Sequence, residues 1–180
     1  CERLGIPFGV YLYSYAKDTD SARSEAQHVL RLISGHNLTY PVYYDMEDDS
    51  TIGCDLTSIA TTFCNTIKSA GYAVGVYASL SWWNTYLTAP CFGQWYRWVA
   101  QYNSTCKYTG EYAIWQYSST GRVSGISTDV DMNYLIGYPK DHGAASSINI
   151  PDETQNIISY SAHVSDIGWM NSVSNGLIAG

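Results

Sequence analysis

Hydrophobic and polar positions change rhythm along the chain, and each change marks an element. The run Pro7-Phe-Gly-Val-Tyr-Leu-Tyr-Ser-Tyr15 is almost continuously apolar or aromatic, as a strand covered on both faces is. From Thr19 to Ser34 the spacing turns helical, with Ala22, Ala26, Val29, Leu30 and Ile33 recurring at three and four. Asp18 or Asp20 is placed to cap that helix, and Gly35 to stop it. A second strand, Pro41 to Glu47, leads through a polar loop into a second helix, Asp55 to Ala70, with Ile59, Phe63 and Ile67 on one face and Gly71 as its stop. Ala73 to Ser79 reads as a third strand and Ser81 to Leu87 as a short helix.

After that the rhythm shortens. Arg97 to Tyr102, Tyr112 to Ser118 and Asp129 to Leu135 read as three further strands with no full helix between them. Alternating strands and helices predict parallel pairing through right-handed crossovers. The expected fold is therefore α/β: an incomplete TIM-like (β/α) barrel with six of its eight strands present and the first two missing. The expected organisation is a barrel unit over 1–138, a linker rich in Pro, Gly, Ser, Ala and Asn over 139–156, and a short patterned piece over 157–180. That last piece has too few apolar residues to bury a core alone. The chain opens at Cys1 inside a hydrophobic stretch, which leads to the expectation that it is part of a longer protein.

Composition narrows the function. Of 180 residues, 46% are apolar and 14% charged, a balance that supports a folded core. Nine Lys and Arg against sixteen Asp and Glu leave a net charge of −7, which disfavours binding to nucleic acid phosphates. No apolar run approaches the roughly 18 residues of a membrane span. Seventeen Tyr and six Trp accompany only three Phe. Tyr and Trp join a flat apolar face to a polar edge, which suits a wet cleft. Five cysteines follow no metal-ligand spacing; free thiols and one or two disulfides both fit, with Cys91–Cys106 the favoured pair if one bridge forms.

The sharpest chemistry is Asp45-Met46-Glu47 at a strand end. Alternation puts Asp45 and Glu47 on one face with Tyr43, their Cβ atoms about 6.5–7 Å apart. In a parallel barrel that end carries the chemistry. Burial and the neighbouring like charge raise at least one pKa, as a general acid requires. A solvated acidic loop is the bland alternative. Calcium is a weaker one, because the EF-hand pattern is absent. Asp131 is a third acidic candidate at the end of the last strand, and Asp129 shares its face by alternation. Tyr11, Tyr13, Tyr77, Trp98, Tyr102, Trp115 and Tyr117 supply aromatic surface; alternation lets either Gln116 or its two neighbours point inward. No histidine has ligand spacing, no G-x-S-x-G elbow or phosphate-cradling loop exists, and no cofactor is expected.

Six segments occur in order: Gly5 to Ala16, Tyr40 to Glu47, Gly71 to Ser79, Trp98 to Tyr102, Trp115 to Ser119, and Val130-Asp-Met-Asn133. Together, over about Leu4 to Tyr138, the chain resembles the glycoside hydrolase family 25 lysozymes, the N-acetylmuramidases of bacteria and phages. The resemblance implies an eight-stranded barrel that cleaves the β-1,4 bond between N-acetylmuramic acid and N-acetylglucosamine in peptidoglycan. It implies Glu47 as general acid, Asp45 as the charge stabiliser, and Asp131 as the acid of the final strand. It places Tyr11, Tyr13, Tyr77, Trp98, Tyr102 and Gln116 around the sugar cleft. It also implies an earlier strand bearing an active-site Asp, which this sequence lacks. Residues 157–180 resemble the start of a clostridial hydrophobic repeat with its Gly168-Trp169 pair. The expectation is a secreted or wall-associated monomer acting on glycan strands. The alternative is a wall-glycan binder without turnover, and a weaker rival acts on chitin-like chains.

Overall fold

The computed structural model describes residues 1–137 together with the backbone of two later strands, Gln155–Ser159 and Ile167–Asn171. Six strands lie in the first part: β1 (Phe8–Tyr13), β2 (Val42–Asp45), β3 (Val74–Ser79), β4 (Tyr96–Ala100), β5 (Ile114–Gly121) and β6 (Val130–Leu135). Helices α1 (Thr19–Leu32), α2 (Leu56–Ser69) and α3 (Leu80–Thr85) follow β1, β2 and β3. The two later strands are β7 (Gln155–Ser159) and β8 (Ile167–Asn171), and the single sheet runs β7-β6-β5-β4-β3-β2-β1-β8.

The helices start and stop where the local chemistry dictates. The Asp18 carboxylate accepts from the Ser21 N–H at 2.8 Å, and Asp55 accepts from the Ser58 N–H at 3.0 Å, so each fills an orphan donor of a first turn. Gly71, at φ +91°, takes the left-handed turn that ends α2 and feeds β3. On α1 the residues Ala22, Ala26 and Val29 are buried; on α2 they are Ile59, Ala60, Phe63, Cys64 and Ile67. Burying a side chain such as Phe63 stabilises by roughly 1.5–3 kcal/mol. Its ring stacks on Tyr44 of β2 with centroids 3.8 Å apart, fixing helix to sheet.

Alternation along the strands then separates two layers. Val10, Leu12, Tyr44, Met46, Val76, Ala78 and Val99 belong to the outer core against the helices. Tyr43, Tyr77, Trp98, Ala100, Ile114 and Leu135 form a second cluster on the concave side, with Tyr11 packed against it. Gly75 makes this inner layer possible: a Cβ there would strike the Tyr43 ring and lie 2.6 Å from the Tyr96 carbonyl oxygen.

Strands β1 to β5 pair in parallel, as the alternating pattern predicts. β6 departs from it and pairs antiparallel with β5 through Ile114↔Leu135, Trp115↔Tyr134 and Gln116↔Asn133. The short loop from Arg122 to Asp129 has no room for a crossover helix, so the chain returns as a hairpin. β7 extends the sheet antiparallel beyond β6, β8 pairs antiparallel with β1, and the two approach each other across the seam. The sheet therefore curls back on itself. Of the linker expected over 139–156, only Gln155 and Asn156 are described, and they belong to β7. Of the repeat expected over 157–180, only the strand residues of β7 and β8 are described, with Gly168 and Trp169 in β8.

The favoured Cys91–Cys106 bridge does not form; none of the five cysteines is in a disulfide among the described residues. Cys91 neighbours the buried Cys64, whereas Cys106 bonds with the Tyr112 side chain, so the two face different partners.

Candidate active site

The last residue of β2 is Asp45, and its parallel neighbours fix its surroundings. The register aligns Tyr13, Asp45, Tyr77 and Trp98 on one rung across four strands. The ladder continues past the carboxylate: Ser14 N donates to the Asp45 carbonyl at 2.9 Å, and Met46 N to the Tyr77 carbonyl at 3.0 Å. Asp45 therefore cannot swing out with a loop. Met46 turns into the outer core. Glu47, one step beyond the strand, keeps the alternation and returns to the Asp45 side. Its Oε2 accepts from the Ser79 backbone N–H at 2.9 Å, at the end of β3.

The two acids sit at different depths. Asp45 is 5% exposed and its Oδ1 has no hydrogen-bond partner among the described residues. Burial, and then the charge of Glu47, holds its pKa well above the ordinary carboxylate value. Glu47 is half-buried. Burial raises its pKa too, partly offset by the Ser79 N–H, which favours the charged form.

Asp131 approaches from the opposite side, and burial raises its pKa as well. It is the second residue of β6, not the last. It reaches the site because β6 runs antiparallel, so its beginning lies beside the ends of the parallel strands. Asp129, expected on the same face, precedes the strand and instead pairs with Arg122 at 2.8 Å on the surface. The Tyr77 hydroxyl lies amid the three acids: burial first, then Glu47, Asp45, Tyr102 and Asp131 all resist its ionisation.

An aromatic floor underlies the carboxylates. Trp98 is its hub, with edge-on contacts to Tyr77 at 4.8 Å, Tyr43 at 5.3 Å and Tyr11 at 6.4 Å between ring centroids. The Trp98 Nε1–H donates to Asn133 Oδ1 at 2.8 Å, and Asn133 is fully buried. Gln116 points inward, which sends Trp115 and Tyr117 to the outer side, where they group with Tyr134. Gln116 Oε1 accepts from the hydroxyls of Tyr77 and Tyr102, each at 3.0 Å. Tyr102 stands at the rim, 59% exposed. The Tyr13 hydroxyl donates to Asp48 Oδ2 at 3.2 Å, and that ring is raised in pKa by burial, then by Asp48, Asp45 and Glu47.

Asp45, Glu47, Asp131, Tyr11, Tyr13, Tyr77, Trp98, Tyr102 and Gln116 thus share one side of the sheet, while Trp115, Tyr117 and Asp129, also singled out from the sequence, lie away from it. Three contributors escaped sequence reasoning: the Ser79 backbone that holds Glu47, Asn133 that orients Trp98, and Asp48 that anchors Tyr13. Asn133 was open to detection, because it sits two positions after Asp131 in a strand. Among the described residues no group of three or more His, Cys, Asp or Glu side chains is arranged to hold a metal ion.

The acid pair thus lies at the strand ends of a sheet that is parallel from β1 to β5, above an aromatic floor. The family described as Glycosyl hydrolases family 25 matches residues 2–126, and the chain belongs to that family. It is 32% identical over 124 residues to Lysozyme M1 of Streptomyces globisporus, covering 58% of this chain and 40% of that protein. It is 29% identical over 136 residues to the autolytic lysozyme of Clostridium acetobutylicum, covering 73% of this chain and 40% of that protein. The chain thus spans about 40% of the length of both curated relatives. Among solved structures it superposes on the modular autolysin LytC from Streptococcus pneumoniae with TM-score 0.66 and 34% identity, covering 73% of this chain and 34% of that one. LytC has also been solved in complex with a synthetic peptidoglycan ligand, where the match has the same score and identity over 72% of this chain and 34% of LytC.

Proposed function

We propose that this chain carries the catalytic site of a peptidoglycan hydrolase, an N-acetylmuramidase that cleaves the β-1,4 bond between N-acetylmuramic acid and N-acetylglucosamine. The observation that carries the proposal is the acid pair: Asp45 buried with an unpartnered oxygen, and Glu47 held beside it by the Ser79 N–H. Glu47 is the general acid, because it is the shallower of the two and can meet a leaving oxygen. Its raised pKa keeps it protonated above the usual carboxylate range.

The favoured route uses the substrate's own acetamide. Glu47 gives its proton to the glycosidic oxygen as the C1–O bond breaks, and the acetamide carbonyl oxygen bonds to C1. Asp45 accepts the acetamide N–H at its unpartnered Oδ1, and the positive charge developing on the ring favours its carboxylate form, its proton passing to solvent. Water, losing a proton to the Glu47 carboxylate, then opens that ring at C1 and restores Glu47 to its acid form. The configuration is retained. A direct glycosyl–carboxylate intermediate also retains, whereas water attack without an intermediate inverts.

Clearing of cell-wall suspensions by the chain and by Glu47→Gln tests the proposal. A loss of about 10²–10⁴ in rate is expected for the variant. Equal lysis by both rejects Glu47 as the acid, and NMR detection of an inverted product anomer rejects the acetamide route. Binding to walls with no lysis by either form supports the rival, a glycan binder without turnover.

The same reading assigns β1 to β6 to the later six of the family's eight barrel strands. It takes Gly168-Trp169 as part of a clostridial repeat and places the protein at the cell wall as a monomer. Support comes from the six strands ending at Leu135, and from relatives named as lysozymes and autolysins.

A further inference from the structure

The cleft holds one amide whose orientation is fixed from behind. Gln116 is 3% exposed, and its Oε1 accepts two phenol hydroxyls, Tyr77 and Tyr102, each at 3.0 Å. A carbonyl oxygen has two lone pairs, and both are used. The amide nitrogen has no hydrogen-bond partner among the described residues, so its two N–H bonds are left for a ligand. Turning the amide over would leave both phenol protons without that acceptor.

We propose that Gln116 is a specificity-determining donor, aimed at the carbonyl oxygen of an N-acyl group on the glycan, and that Tyr102 is the rim residue that keeps it aimed. The proposal rests on the peptidoglycan reading and deepens it. Asp45, Glu47 and Asp131 surround the Tyr77 hydroxyl one hydrogen bond away. An anionic group on the ligand would be repelled there, so a neutral carbonyl oxygen is the acceptor that fits. Tyr102, at the rim, is the part of this lock within reach of a passing chain.

The test uses the full chain carrying Glu47→Gln to prevent turnover, with an N-acetylglucosamine tetramer and its de-N-acetylated counterpart as probes in calorimetry. Gln116→Glu, which replaces the free donor with an acceptor, is expected to weaken binding of the acetylated tetramer by about tenfold or more, and to leave unchanged or strengthen binding of the deacetylated one, whose ammonium groups the new carboxylate attracts. Tyr102→Phe, a change at an exposed position, is expected to cause a several-fold loss with the same selectivity. Unchanged acetylated binding in both variants, or an equal loss for both probes, overturns the proposal. If Gln116→Glu fails to fold, the side-chain amide proton signals of Gln116 itself decide. They should shift on adding the acetylated tetramer, and their failure to move overturns the assignment. These ratios do not depend on catalysis, so absent lysis by the unmodified chain would strike the hydrolase reading without touching them.

Discussion

Replacing Asp45 with Asn should make the protein more stable while removing its activity. The carboxyl is 5% exposed, its Oδ1 has no partner among the described residues, and Glu47 places a like charge beside it. An unsatisfied buried polar group costs about 1–3 kcal/mol, and a charged one more. Asn leaves a polar group there and removes only the ionisation penalty, about 1.4 kcal/mol per pH unit between the ordinary and raised values; at about 2–4 °C per kcal/mol, Asp45→Asn should raise Tm by about 3–6 °C per pH unit across that window. The pH dependence is the sharper signature. Between the ordinary carboxylate pKa and the raised folded value, the unfolded chain has released this proton while the folded chain keeps it. Folded stability therefore falls as pH rises through that window, by up to about 1.4 kcal/mol per pH unit for this group. The Asn variant lacks that loss, so its advantage should vanish towards pH 4 and grow towards pH 8. Urea unfolding of both forms at several pH values measures the difference. A variant less stable than the parent, or an advantage that ignores pH, would refute the account of Asp45 as a strained, buried acid.

Other consequences are open to measurement. Gly75→Ala forces a methyl into the Tyr43 ring and the Tyr96 carbonyl; a loss of about 1–3 kcal/mol in chemical denaturation is expected, with wall lysis falling as the inner layer shifts. Because burial raises the Glu47 pKa, the descending limb of the pH–rate profile should lie above the normal carboxylate range and should be absent from the residual activity of Glu47→Gln. With no disulfide among the five cysteines, adding a reductant should leave Tm unchanged, and thiol titration of the unfolded chain should count five without reduction.

Much of the fold was legible because its elements obey simple periods. The α1 and α2 faces, their Asp caps and the Gly71 stop follow from local spacing, and tertiary packing only confirmed them. The acid pair was legible for the same reason: alternation fixes that Asp45 and Glu47 share a side. Depth was not legible, since it depends on which neighbours close over the strand end. Nor was the hold on Glu47, because a backbone N–H carries no residue signature and Ser79 is brought close only by the β2–β3 register. The direction of β6 was misjudged by extending the parallel rhythm, although the short loop after Gly121 already forbade a crossover. Gln116 illustrates the remaining gap. Its period allowed two orientations, and only the bonds to Tyr77 and Tyr102 choose between them.

The pairing of β1 with β8 has a kinetic consequence. Val10 and its partner Trp169 are separated by most of the described fold, so that margin of β1 stays bare until β8 has been made. Loop closure over such a separation is slow, and an unpaired strand is meanwhile open to any other extended segment. Whether β8 or a foreign strand reaches that margin first therefore decides whether a molecule closes its own sheet or joins a stranger's.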